Sequence, residues 1–119
     1  MHERDELCIV HILDACGQVS AYAARGSRDR LDTDSMYRDA VVRQLEIIGE
    51  AASRLSPEFR LRTPEIPWLD IINMRHRLIR GYSKLDLNLV WTAAQTEVLR
   101  LARMLEPWKP RDLQEDQCG

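Results

Sequence analysis

Glycine and proline are scarce in this chain, five of each in 119 residues, a composition that argues against a disordered or low-complexity protein. Cysteine is scarcer still. Cys8, Cys16 and Cys118 form no C-x-x-C pair and have no metal-ligand spacing with His2, His11 or His76, so neither a structural zinc site nor any other metal is expected. The odd cysteine count offers no disulfide framework and fits a reducing cytosol, which makes the cytoplasm the expected location. Cys8 and Cys16 lie eight apart on the first expected helix and read as small hydrophobes facing the core. No run approaches the roughly 18 uninterrupted apolar residues of a membrane span. The charged start, residues 1–6, is followed by no signal-peptide core, so no membrane contact is expected. A glycine-rich phosphate loop, an internal repeat and sustained strand alternation are missing as well.

What remains is 45% hydrophobic and 30% charged, the composition of one helical domain, assigned to residues 1–110 with a polar tail at 111–119. Helical spacing predicts a first helix over residues 3–25, with Gly17 permitting close approach of a neighbouring backbone. Residues 25–32 read as a solvated loop. A second helix is expected from a cap at Thr33 or Asp34 to Leu55, apolar over enough of its girth to pack inside the bundle and against a second copy. Ser56-Pro57 ends it or opens a short turn, and the segment through Arg62 reads as irregular. A third helix should start at Pro67 and stop at Gly81. The last, capped by Asp86 or Asn88, should run to about Leu105 before Pro107 and Pro110. The fold class is therefore all-α: an antiparallel four-helix bundle with short extra helical turns.

Charge is distributed unevenly. The formal net charge is -2, yet residues 74–84, M-R-H-R-L-I-R-G-Y-S-K, carry Arg75, Arg77, Arg80 and Lys84 with no acid among them. Arginine presents a planar fork of donors to phosphate oxygens and stays charged at any physiological pH. Histidine is the residue type here that exchanges a proton near neutrality. If residues 74–81 form one helix, His76 and Arg80 stack one turn apart on the same face. These features mark the stretch as a candidate polyanion site. The competing reading is a solvated face whose arginines pair with acids such as Glu46 and Glu50. Trp68 and Trp91 flank the stretch and could stack on bases, although helical spacing favours the core for both.

The block A-V-V-R-Q-L-E-I-I-G-E at residues 40–50, Ile66-Pro67-Trp68, the M-R-H-R-L-I-R-G-Y run and Val90-Trp91 together resemble the HepT-like family of HEPN-fold proteins. The resemblance covers roughly residues 4–105, with the motifs in the family's order. It implies a homodimer in which the motif helices of both subunits meet at a cleft. It also implies metal-independent endoribonuclease activity, without a cofactor, as the toxin of a toxin–antitoxin module. The partner so implied is an MntA-like nucleotidyltransferase antitoxin that transfers AMP to the motif tyrosine.

The family motif is an Arg, four residues, a His, one residue and a Tyr. Arg75 and Tyr82 match the first and last positions, which makes Tyr82 the expected AMPylation acceptor. Arg80 stands where the family has histidine, and His76 where it usually has asparagine. Arginine cannot give up a proton to serve as a base. The catalytic set expected is therefore Arg75, Arg80 and His76, with His76 as the substitute proton carrier; Arg75, Arg77, Arg80 and Lys84 bind RNA phosphate. The alternative is a catalytically weak or inactive bundle that binds RNA, a nucleotide or a nucleotidyltransferase.

Overall fold

The computed structural model describes residues 2–80 and 84–110, with Arg80 described by its backbone alone. The fold is all-α, and its longest helix, α1 (Glu3–Arg25), buries Cys8, Ile9, Ile12, Cys16 and Val19. It packs mainly on α3 (Ser35–Ser53) and next on α8 (Val98–Leu105). Asp34 caps α3 as expected, accepting the Tyr37 backbone N–H at 3.1 Å, and Val41, Leu45, Ile48 and Ala52 form its inner stripe. The last long helix begins behind Asp86, which accepts from Leu89 N at 3.2 Å. It runs as α7 (Leu87–Thr92), a π-helical segment (Ala93–Glu97) and α8, and a 3-10 turn (Glu106–Trp108) containing Pro107 follows.

Three expectations need correction. Residues 28–33 form a helix, α2 (Arg28–Thr33), rather than a loop, because Ser27 caps it and Leu31 is completely buried. The segment after Pro57 is likewise helical: in α4 (Pro57–Arg62) the Ser56 hydroxyl accepts from Phe59 N at 3.1 Å. Gly17 is exposed and a side chain there would meet nothing within 4 Å among the described residues, so it permits no close approach among them. No run of uninterrupted apolar residues has the length of a span, but α1 holds an 18-residue window of mean hydropathy 1.4, enough by length and composition to cross a membrane. Here it supplies the surface on which α3 and α8 pack.

Two arrangements tie the short helices to the long ones. Asp5 is 2% exposed and its carboxylate accepts both the Ser56 N–H and the Ser56 hydroxyl at 2.7 Å, tying the start of α1 to the cap of α4. Phe59 meets Trp68 at 6.2 Å between ring centroids and Trp108 edge-on at 5.2 Å. The Arg62 guanidinium covers the Trp108 ring at 5.0 Å.

Cys8 and Cys16 are both buried free thiols, as expected. Burial pushes Cys16 up to about 12, and it raises Cys8 too, with the Asp5 carboxylate adding to the rise. A thiol whose folded value is raised stays protonated where its unfolded counterpart ionises, so its contribution to stability is complete below the ordinary value of 9.0 and is lost toward 12. Urea midpoints should therefore fall as pH rises through that window. Cys16→Ala should flatten the fall, and an unchanged slope in that variant would refute the assignment.

Candidate active site

Trp68 anchors the start of the basic segment. It is 5% exposed, and its indole N–H donates to the hydroxyl of the fully buried Thr63 at 2.8 Å. Pro67 precedes the first helical residue of α5 (Trp68–Ile72) rather than occupying it. Gly49 of α3 lets α5 come close, since a Cβ there would lie 3.0 Å from the Ile71 carbonyl oxygen. The absence of a side chain at Gly49 thus lets this segment seat against α3.

The expected single helix from Pro67 to Gly81 does not form. The chain turns at Asn73, resumes as α6 (Met74–Leu78) and becomes extended at Ile79, with φ -96 and ψ 124. Residues Ile79–Arg80 (β1) then pair antiparallel with Lys84–Leu85 (β2), Ile79 opposite Leu85 and Arg80 opposite Lys84. The Asp86 N–H donates to the Leu78 carbonyl at 2.7 Å beside this ladder. β-Branched Ile79 suits a strand better than a helix end, and the ladder satisfies backbone groups that a helix would otherwise have to cap. Consequently the i, i+4 stacking of His76 with Arg80 is lost. Gly81 and Tyr82 lie outside the described residues, as do Cys118 and the tail from residue 111.

The basic side chains separate into two groups. Arg75 is 73% exposed on α6, touching the Glu46 carboxylate only at 3.7 Å. An exposed pair of that length is weak and screened by salt, so its guanidinium remains available to an anion. His76 is exposed beside it, and Lys84 is exposed on β2. Arg77, two residues from Arg75 and so roughly 200° around the helix, is engaged: its Nη2 donates to Glu97 Oε1 at 3.1 Å. Glu50, the other suggested partner for the stretch, pairs with Arg43 at 3.1 Å instead.

Glu97 went unnoticed in the sequence because it sits twenty residues from Arg77 and in no motif. Together they border a cavity of about 190 Å³ whose wall includes Met74, Ile71, Leu101 and Arg100. Trp68 belongs to the core, while Trp91 is half-buried against it. Among the described residues no group of three or more His, Cys, Asp and Glu could hold a metal ion.

An exposed arginine and histidine adjacent on a short helix, with a lysine on the second strand of the ladder that follows, can bind a phosphodiester and move a proton beside it. The family model of HepT-like ribonucleases matches residues 12–107, which include the whole segment. The chain belongs to the HepT-like ribonuclease family. Among its relatives is a Methanocaldococcus jannaschii protein named as a gamma-glutamylcyclotransferase and candidate RNase, 35% identical over 101 residues. That match covers 85% of this chain but only 46% of that protein. A candidate RNase of the same organism is 30% identical over 107 residues, 89% of this chain and 98% of its own length. A candidate ribonuclease HepT of Thermococcus cleftensis is 36% identical over 73 residues, covering 61% of this chain and 66% of that one. No solved structure matches.

Proposed function

We propose that this HepT-like chain is the ribonuclease toxin of a cytoplasmic toxin–antitoxin module, acting as a homodimer. The observation that carries the reading is the adjacent exposure of Arg75 and His76 on α6 in a chain of a ribonuclease family. Arg75 and Arg80 hold the scissile phosphate, with Lys84 on a neighbouring one. His76 takes the proton of a ribose 2′-hydroxyl as that oxygen attacks phosphorus, and the bond to the 5′-oxygen breaks. The proton passes to the departing oxygen, leaving a 2′,3′-cyclic phosphate and a 5′-hydroxyl. Leu69, 74% exposed on α5, and Ile79, 36% exposed on β1, supply apolar surface beside the site for a second copy.

One observation favours a second reading, a cleavage-silent bundle that binds RNA or a nucleotidyltransferase: Arg80 occupies the position of the family's histidine. Incubation with total RNA separates the two. The displaced-base reading expects degradation by the native chain, loss in His76→Ala and recovery when Arg80→His is added. Intact RNA with the native chain, followed by cleavage with Arg80→His alone, would establish the silent reading.

Neutralisation is assigned to an MntA-like nucleotidyltransferase that joins the AMP of ATP to the Tyr82 phenol oxygen and releases pyrophosphate. Incubation with such an enzyme and ATP should raise the intact mass by whole AMP units. Tyr82→Phe should abolish the rise; the same increment in that variant would put the acceptor elsewhere.

A further inference from the structure

Glu97 belongs to none of the family's motif positions, yet its ion pair with Arg77, at 3.1 Å, is the shorter of the two that reach α6 from other helices among the described residues. We propose that Glu97 is a positioning residue, which sets the orientation of α6, and with it Arg75 and His76, by holding Arg77. This inference rests on the ribonuclease reading for its catalytic consequence, but the mechanical part stands on geometry alone.

The need for such a brace follows from the local structure. A five-residue helix is far below the length that sustains itself in water, and α6 has no side-chain cap at its start and an extended residue at its end. Its buried anchors are Met74 and Leu78, one turn apart on a single face. Arg77 spans the break: besides the Glu97 carboxylate at 3.1 Å, its Nη1 approaches the Asp70 carbonyl of α5 at 3.5 Å. One guanidinium therefore touches the helix before the turn, the helix after it and the last long helix.

Glu97 is itself placed by an irregularity. It ends the π-helical segment Ala93–Glu97, and the wider turn carries one extra residue, shifting the helical register by roughly 100°. The resulting pair is about one-third exposed on each side, 32% and 34%. It is therefore less screened than the open Arg75–Glu46 contact. Since Arg75 lies nearly opposite Arg77 around α6, any rotation that frees Arg77 swings Arg75 and His76 by the same angle. Displacement of about 1 Å at reacting groups can cost a hundredfold.

The competing role for Arg77, direct phosphate binding, predicts the opposite sign. If Glu97 merely masks a phosphate ligand, Glu97→Gln frees the guanidinium and lowers KM for RNA with kcat unchanged. The brace predicts that Glu97→Gln and Glu97→Ala lower kcat about tenfold with KM little changed. It further predicts that the exchange Arg77→Glu with Glu97→Arg recovers most of the loss.

Amide hydrogen exchange at Arg77, whose N–H donates to Asn73 O at 3.0 Å, and at Asp86, bonded to Leu78 O, gives a readout independent of RNA. Exchange should quicken in Glu97→Ala and return toward native in the exchanged pair. A chain that cuts no RNA but shows this exchange pattern would end the ribonuclease reading and keep the brace. Unchanged exchange in Glu97→Ala, a lowered KM with kcat intact, or an exchanged pair as impaired as the single variants would overturn the brace.

Discussion

Arg75→Ala should lower kcat/KM for RNA cleavage by about a hundred- to a thousandfold, the loss typical when one donor to a developing oxyanion is removed from a catalytic site. Its side chain is 73% exposed and its one ion pair among the described residues is the 3.7 Å contact with Glu46, so the fold should keep its thermal midpoint. Arg75→Lys should recover only part of the activity, because an ammonium cannot offer the paired donors of a guanidinium. Cleavage assays on purified protein, with circular dichroism melts alongside, check both halves. Activity within twofold of native in Arg75→Ala would remove Arg75 from the site.

The largest stability effect is expected at Phe59. Its ring is 2% exposed and meets both Trp68 and Trp108, so truncation to alanine loses burial and two aromatic contacts while leaving a cavity. Phe59→Ala should lower the free energy of unfolding by about 3–5 kcal/mol, read from urea denaturation. Because Trp68 starts the segment that carries Arg75, RNA cleavage should weaken in the same variant at temperatures where it remains folded. A loss below about 1 kcal/mol would mean that the aromatic cluster closes around the gap at little cost.

Most of the long-helix scaffold was legible because it rests on periodic burial. The helical spacing of α1 and the inner stripe of α3 needed only the sequence, and the caps at Asp34 and Asp86 follow from their chemistry. Short helices were not legible. α2 and α4 bury little beyond Leu31 and Phe59, too few positions to make a stripe, and they are held by serine caps and by contacts distant in sequence. Gly17 misled because a glycine inside a helix indicates a close approach only when a neighbour is present, and among the described residues none is.

The site was half-visible for a different reason. Residue type and clustering marked the stretch that holds Arg75 and His76 as a candidate polyanion site, but the helical reading of 74–81 carried the register too far. Helix propensity in M-R-H-R-L favours continuation, whereas the pairing of Ile79 with Leu85 is a contact that local pattern does not express. The same limitation hid Glu97: its register depends on a π-turn, and its partner Arg77 reads from sequence as one more phosphate ligand. Arg77 and Arg75 part only in the folded chain, where one faces Glu97 and the other is open.

End-group analysis of RNA incubated with the native chain and with His76→Ala, both at neutral pH with a chelator present, tests the central claim most directly. Fragments bearing 2′,3′-cyclic phosphate and 5′-hydroxyl ends with the native chain, and their loss in His76→Ala, are the expected result. Intact RNA with the native chain, 5′-phosphate ends, or equal cleavage by His76→Ala would contradict it.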